Sequence, residues 1–150
     1  ARRLRVRWVP PDGRPLAESN AILWYFGDAT QYVPDDPYER AQVLQWMFFE
    51  QYSHEPYVAV ARFWLTKGIE VDAETLAERQ RVGYLAFDAM EPHLACHDYL
   101  AAERYTIADI ALYAYTHVAH EGGFDLEPYQ AIRGWLVRVA AQPGHVTIDA

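Results

Sequence analysis

The sequence predicts a mostly α-helical protein, a bundle of about five helices preceded by a short β-hairpin and one further helix. Three observations carry that expectation. Period-two alternation is confined to the start of the chain, and from residue 18 onward apolar side chains recur at helical spacing. Helix-start residues at Asp36-Pro37, Asp72 and Thr106, and stop residues at Gly122-Gly123 and Pro143-Gly144, punctuate the rest. The 150 residues are 51% hydrophobic and include 5 Trp, 11 Tyr and 6 Phe, enough for one sizeable core and too many for a disordered chain.

Leu4, Val6 and Trp8 alternate with Arg5 and Arg7, as in a strand with one buried face. Pro10-Pro11-Asp12-Gly13 supplies a turn, and Arg14 to Ala17 a short return strand. Such a hairpin is marginal alone, so other elements must cover it. Ile22, Leu23 and Phe26 give one apolar face to a helix over roughly residues 18–27, and Gly27 to Asp35 reads as a polar linker. Asp36-Pro37-Tyr38-Glu39 opens the next helix, with Asp as N-cap and Pro at the first helical position. That helix carries Val43, Leu44, Trp46, Met47, Phe48, Phe49 and Tyr52. Apolar nearly all round, it needs a partner on a second face, and a second copy of the chain is the natural one. Pro56 is expected to kink it before Val58, Val60, Phe63, Trp64 and Leu65.

Gly68 to Val71 makes a break, after which Asp72 caps a long helix with Leu76, Gly83, Phe87, Met90 and Leu94 on one side. Thr106-Ile107-Ala108-Asp109 has the form of a capping box, with Tyr105 and Ile110 at the staple positions. The buried stripe of that helix is expected to run through Ile107, Ile110, Ala111, Ala114 and Val118 to Gly122-Gly123. Ile132, Trp135, Leu136 and Val139 mark a last helix, stopped by Pro143-Gly144.

Charge narrows the function. The net charge is −8, and residues 1–14 hold five Arg against Asp12, so the remainder carries −12. An acidic body repels phosphates, which argues against nucleic acid as a partner. No run of about eighteen apolar residues is free of charge, so a membrane span is not expected. The single Cys96 excludes an internal disulfide and fits a reducing, cytoplasmic compartment. The start also lacks the continuous apolar region of a signal peptide.

Two segments carry a family likeness. Asp12-Gly13-Arg14-Pro15-Leu16-Ala17-Glu18-Ser19-Asn20-Ala21-Ile22-Leu23 runs a hairpin strand into an acidic-Ser pair at a helix start. Tyr105-Thr106-Ile107-Ala108-Asp109-Ile110-Ala111 supplies the later capping box. In this order, with an acidic linker and a Trp/Phe-rich helix between them, they resemble the glutathione S-transferase family over roughly residues 10–145. The resemblance implies a remnant of a thioredoxin-like, glutathione-binding domain over residues 1–28, a linker over 29–36 and an all-α C-terminal-type domain over 37–150. It implies glutathione as co-substrate, gripped at its γ-glutamyl end by Glu18 and Ser19, and a homodimer. The reaction in intact relatives is attack of the glutathione thiolate on a small hydrophobic electrophile, for whose pocket Phe49, Ser53 and His54 are candidates.

The chain departs from the family in one respect. Its match begins at the family's final hairpin, residues 1–9 contain no counterpart of the family's cis-proline, and the Ser, Tyr or Cys that activates the thiol has no equivalent. The expectation is an N-terminally truncated relative with a partial glutathione site, no catalytic residue of its own and little or no activity alone. The alternative is a non-catalytic dimerisation or interaction module.

The Glu18–Ser19 pair also makes sense chemically. A helix N-terminus offers a hydroxyl, free N–H groups and the positive end of the dipole to a carboxylate, while Glu18 suits an ammonium. The plainer reading, in which Ser19 only caps the helix and Glu18 only favours the dipole, stays open on the sequence. Thr106 and Asp109 are structural. His93 and His97 have metal-ligand spacing, with Cys96 between them, and His117, His120 and Glu121 also cluster. Neither group shows a fourth ligand or a zinc signature, so no metal is expected.

Overall fold

The computed structural model describes residues 7–9 and 13–147. Strand β1 (Arg7–Trp8) pairs antiparallel with β2 (Leu16–Ala17), Trp8 lying opposite Leu16. Leu4 and Val6, and the turn at Pro10 to Asp12, lie outside the described residues. Every described residue after β2 is helical or connecting chain, so the protein is mostly α.

Helix α1 (Ser19–Gly27) covers the hairpin, with Trp8 against Phe26 and Tyr25 at ring separations of 4.7 and 5.3 Å. Its last residue must be glycine for a packing reason. A Cβ on Gly27 would stand 2.7 Å from the side chain of Ile107, at the start of α5 (Ile107–Thr116). The linker is pinned at the same place, where Ile107 N–H donates to the Tyr32 carbonyl at 3.1 Å.

Helix α2 (Pro37–Phe49) starts as its sequence predicts, with the Asp36 carboxylate accepting from Tyr38 and Glu39 N–H at 3.0 Å each. The expected kink at Pro56 takes another form. A π-helical segment, Glu50–His54, leads directly into α3 (Glu55–Thr66), and Glu55 N–H bonds the Glu50 carbonyl five residues back. Proline has no N–H and its ring crowds the carbonyl four residues earlier. One wider turn ahead of Pro56 accommodates both, and such turns often mark functional positions.

Helix α4 (Ala73–Leu94) is capped by Asp72 and buries Gly83, Phe87, Met90 and Leu94 along one side. Glycine at 83 admits the Phe124 ring, which a Cβ would meet at 2.6 Å. Helix α5 stops at Thr116, earlier than the apolar stripe predicts, and the chain passes through a 3₁₀ turn, Ala119–Gly122, to Gly123 at φ 78°. The His117 side chain competes for the last turn: Tyr113 carbonyl accepts from both His117 N–H at 3.1 Å and its Nδ1–H at 2.7 Å. Helix α6 (Gln130–Ala140) has no cap of its own. Glu91 of α4 supplies one, accepting from Ala131 and Ile132 N–H at 2.8 and 3.0 Å.

The core lies where α2, α3, α4, α5 and α6 meet, with Val43, Val58, Phe87, Met90, Leu112, Ile132 and Trp135 fully enclosed. Within one copy, α2 is not buried on two sides. Val43, Trp46 and Met47 face inward, while Phe48 of α2 and Tyr52 of the π-helical segment that follows it stay 68% and 84% exposed.

Candidate functional site

The N-terminus of α1 is bare. Glu18, its N-cap, makes no side-chain capping bond, and Ser19 makes none either among the described residues. Ile22 N–H is the first to bond back, to the Glu18 carbonyl at 3.0 Å, which leaves the N–H groups of Ser19, Asn20 and Ala21 open. The capping role that the sequence also allowed for Ser19 is therefore not used. Glu18 itself holds φ 72°, ψ 121°, a region that side-chain-bearing residues rarely occupy. Strain of this kind costs on the order of 1–3 kcal/mol and clusters at ligand clamps.

Both residues are exposed, and Ser19 stands at the mouth of a cleft of 350 Å³ between α1 and α5. Ile22, Leu23 and Phe26 form the α1 wall, Ala111 and Tyr115 the α5 wall, and Glu50 lies at the α2 end. Asn20 ties the cleft together. Its Nδ2 donates to the Met47 carbonyl at 3.0 Å and to Glu50 Oε2 at 2.9 Å, so α1 is fixed to the π-helical segment.

Glu50 is buried at 3% exposure, with Gln51 Nε2 also donating to Oε2 at 2.7 Å. Burial pushes its carboxyl above the usual range, against the pull of the Gln51 and Asn20 bonds, and Glu55 nearby adds to the rise. Glu55 is raised by its own burial. The Tyr115 hydroxyl is raised too, by burial and then by Glu55 and Glu50. The cleft thus pairs a dipole-positive rim at Ser19 with an acidic floor.

Glu50 carries a stability cost that can be measured. A carboxyl raised in the folded state keeps a proton that the unfolded chain has lost, so stability falls as pH rises above about 4.5. Both donors converge on Oε2, so a glutamine whose oxygen takes that place retains them. Glu50→Gln is expected to be more stable than wild type at pH 8, by about 1 kcal/mol, with the gap closing toward pH 4.5. Thermal melts at the two pH values check this; a variant less stable at pH 8 contradicts it.

Phe49, Ser53 and His54 line neither this cleft nor the cavity between α5, α6 and residues 142–147. Phe49 packs on Trp46, with ring centroids 5.3 Å apart. His54 is sealed in the core, its Nε2 2.9 Å from Thr116 Oγ1 and its ring against Phe87. Sequence reasoning missed Asn20, Glu50 and Tyr115. A signal for Glu50 existed: it follows Trp46 and Met47 by four and three residues, which puts a carboxylate on the buried stripe of an apolar helix. His93 and His97 stack at 4.4 Å, with His97 paired to Glu103, and Cys96 is exposed. Among the described residues no three metal-ligating side chains come together.

Thr106 and Asp109 form the capping box of α5, buried in the core. The family model described as glutathione S-transferase, C-terminal domain, matches residues 43–143, two thirds of the chain. The chain belongs to the glutathione S-transferase family. A glutathione S-transferase crystal structure from Pseudomonas fluorescens Pf-5 is 53% identical and superposes with a TM-score of 0.90, over 93% of this chain and 71% of that one. Elongation factor 1-gamma of Artemia salina is 33% identical over 115 residues, 73% of this chain and 26% of its own length. The disulfide-bond oxidoreductase YfcG of Escherichia coli is 27% identical over 138 residues, 89% of this chain and 64% of its own length. The chain therefore spans less than two thirds of the length of either curated relative. No helix among its described residues is long and apolar enough to cross a membrane.

Proposed function

We propose that the chain binds glutathione at the α1 N-terminus, with Ser19 and the open N–H groups holding the γ-glutamyl carboxylate and Glu18 its ammonium. The observation that carries this is the bare, exposed, strained Glu18–Ser19 turn opening on a cleft. Strain at Glu18 has no structural use in view; a ligand bonded by the groups it exposes gives it one. On this reading residues 1–28 belong to a thioredoxin-like unit, 29–36 to a linker and 37–150 to the helical domain, in a cytoplasmic protein. The apolar cleft wall along α1 and α5 takes a small hydrophobic electrophile.

The 150 residues by themselves conjugate glutathione little or not at all. Thiolate formation at neutral pH requires lowering a thiol pKa from about 8.5 by donors or positive charge. The ionisable groups lining this cleft are Glu50 and Tyr115, and an acidic neighbour raises a thiol pKa. Exposed Phe48 and Tyr52 support a homodimer through α2, the face left uncovered in one copy.

Calorimetric titration with S-hexylglutathione tests the reading. Saturable binding is expected, weakened about tenfold in Ser19→Ala by loss of a hydrogen bond to a carboxylate. With glutathione and 1-chloro-2,4-dinitrobenzene, turnover by the 150-residue chain should stay near the uncatalysed rate. Binding that ignores Ser19→Ala removes the proposed site, and rates far above background remove the claim of inactivity. A second reading, a non-catalytic interaction module, is supported by the likeness to elongation factor 1-gamma. It survives alone if no S-hexylglutathione binds while the chain sediments as a stable dimer.

A further inference from the structure

We propose that the Ser19 cleft selects an amphiphilic amine, its apolar body lying along α1 and α5 and its ammonium held by the free carboxylate oxygen of Glu50. This rests on the reading of the cleft as the seat of the electrophile and narrows it: the electrophile taken there is one that carries a positive charge.

The two oxygens of Glu50 are not equivalent. Oε2 is occupied by structure, since Asn20 Nδ2 and Gln51 Nε2 converge on it at 2.9 and 2.7 Å. Oε1 accepts no hydrogen bond from the described residues. It is not sealed in the core either, because the buried side-chain atoms without a partner among those residues are all histidine nitrogens. The side chain as a whole is only 3% exposed and lines the cleft, so the accessible oxygen opens onto the cleft floor.

Nothing there answers its charge. No Lys, Arg or His lines the walls, and the ionisable groups facing Glu50 from its neighbours are Glu55 of α3 and Tyr115 of α5. Arg62, whose charge reaches Tyr115, is engaged by Glu121 at 2.6 Å. A carboxylate taken from water without a counter-charge is costly, and an ammonium N–H on Oε1 supplies the charge and the missing donor together. Such a charge-assisted bond is roughly twice as strong as a neutral one. The remaining walls shape the rest of the ligand. Ile22, Leu23 and Phe26 of α1 and Ile110, Ala111 and Ala114 of α5 offer apolar surface, so the body is uncharged. An anionic electrophile meets Glu50 and Glu55 and is repelled.

The probe is 4-phenylbutylamine, compared with 4-phenylbutan-1-ol, which has the same apolar body and a neutral donor. Calorimetric titration at pH 8 is expected to show saturable 1:1 binding of the amine, about tenfold tighter than the alcohol. Glu50→Gln keeps an oxygen for the Asn20 and Gln51 donors, and in that variant the two probes should bind alike. The affinity for the amine should also fall as pH is lowered from 8 to 5, because a proton on Glu50 removes its charge while the amine, with a pKa near the 10.4 or so of lysine, stays protonated. That slope should disappear in Glu50→Gln, which separates Glu50 from Glu55. Binding at pH 5 should release protons, read as an enthalpy that depends on the ionisation heat of the buffer.

The amine does not engage the Ser19 turn, so Ser19→Ala should leave its affinity unchanged. Amine selectivity without S-hexylglutathione binding would remove the glutathione reading and leave an amine site; S-hexylglutathione binding with equal affinities for amine and alcohol would do the reverse. No saturable amine binding, equal affinities in wild type, a preference or pH slope that persists in Glu50→Gln, or amine binding lost in Ser19→Ala would each overturn the proposal.

Discussion

Asp109→Ala is expected to destabilise the protein by more than about 4 kcal/mol, a large part of the 5–15 kcal/mol typical of a whole domain. The carboxylate is fully buried and accepts four hydrogen bonds. Oδ1 takes Leu100 N–H at 3.0 Å and Trp135 Nε1–H at 2.9 Å; Oδ2 takes Thr106 N–H at 2.8 Å and Thr106 Oγ1–H at 3.1 Å. Those donors come from the loop after α4, the N-cap of α5 and the middle of α6, so one side chain joins three parts of the bundle. Alanine leaves three N–H donors buried with no acceptor and a void beside Trp135, and each orphaned donor costs on the order of 1–3 kcal/mol. The conservative variant discriminates the mechanism. Asp109→Asn keeps an oxygen for Leu100 and Trp135 but turns an NH₂ toward Thr106 N–H, donor against donor, so its loss falls between alanine and wild type. Thr106→Ala removes the cap to Ala108 N–H at 3.3 Å and the Oγ1–H bond to Asp109 but keeps the Thr106 N–H bond, so it costs less, about 1–2 kcal/mol. Urea denaturation midpoints rank the three, and an Asp109→Ala variant within about 1 kcal/mol of wild type would show that the buried carboxylate does not join the bundle.

The contrast between Asp109 and Glu50 explains how much of this protein is legible in sequence. Asp109 sits three residues after Thr106, and a capping box is a local pattern, so its place on α5 comes from spacing alone. The Asp36-Pro37 and Asp72 helix starts are local in the same way. Spacing cannot supply a partner 26 to 40 residues away along the chain. Glu91 caps α6 from α4, Trp135 completes the bond set of Asp109, and Asn20 reaches Glu50 across the cleft. The missed shape of the Pro56 region has the same origin. Proline announces a disturbance, but whether the chain bends or widens by one residue depends on the side chains packed against it.

The candidate site divides along that line. The Glu18–Ser19 turn is read from consecutive residues, since a helix start and an acidic neighbour are local facts. The backbone strain at Glu18 and the unused cap emerge only in three dimensions, and they favour a ligand over a plain cap. The pocket candidates Phe49, Ser53 and His54 come from the family likeness rather than from spacing, and the cleft beside Ser19 is lined by other residues. One extra residue per turn rotates the downstream side chains by about a quarter turn or more, and His54 then points inward at Phe87 and Thr116.

That inward histidine gives the second large prediction, a loss of stability in mild acid. Thr116 Oγ1 spends its proton on the Leu112 carbonyl at 2.6 Å, so His54 Nε2–H must donate to Thr116 and His54 Nδ1 is the bare nitrogen. Nδ1 is buried with no partner, so protonation would place an uncompensated charge and an unpaired N–H in the core. Burial accordingly lowers the imidazole pKa from 6.5 to about 3. A base depressed in the folded state binds its proton only after unfolding, so between those two values the unfolded chain holds more protons and stability rises with pH. Its contribution is complete above pH 6.5 and is lost as pH falls, by on the order of 3 kcal/mol at pH 4. Glu50 and Glu55, raised by burial, act in the opposite sense above about pH 4.5, so wild type alone shows a blunted slope. Comparison with His54→Gln removes them, because the amide NH₂ can still donate to Thr116 and does not titrate. The difference in unfolding free energy between the two proteins should then grow steadily in favour of His54→Gln from about pH 6.5 down to about pH 4. Parallel stability curves over that interval would mean that His54 takes its proton without unfolding, and that the core around Thr116 and Phe87 is open to water.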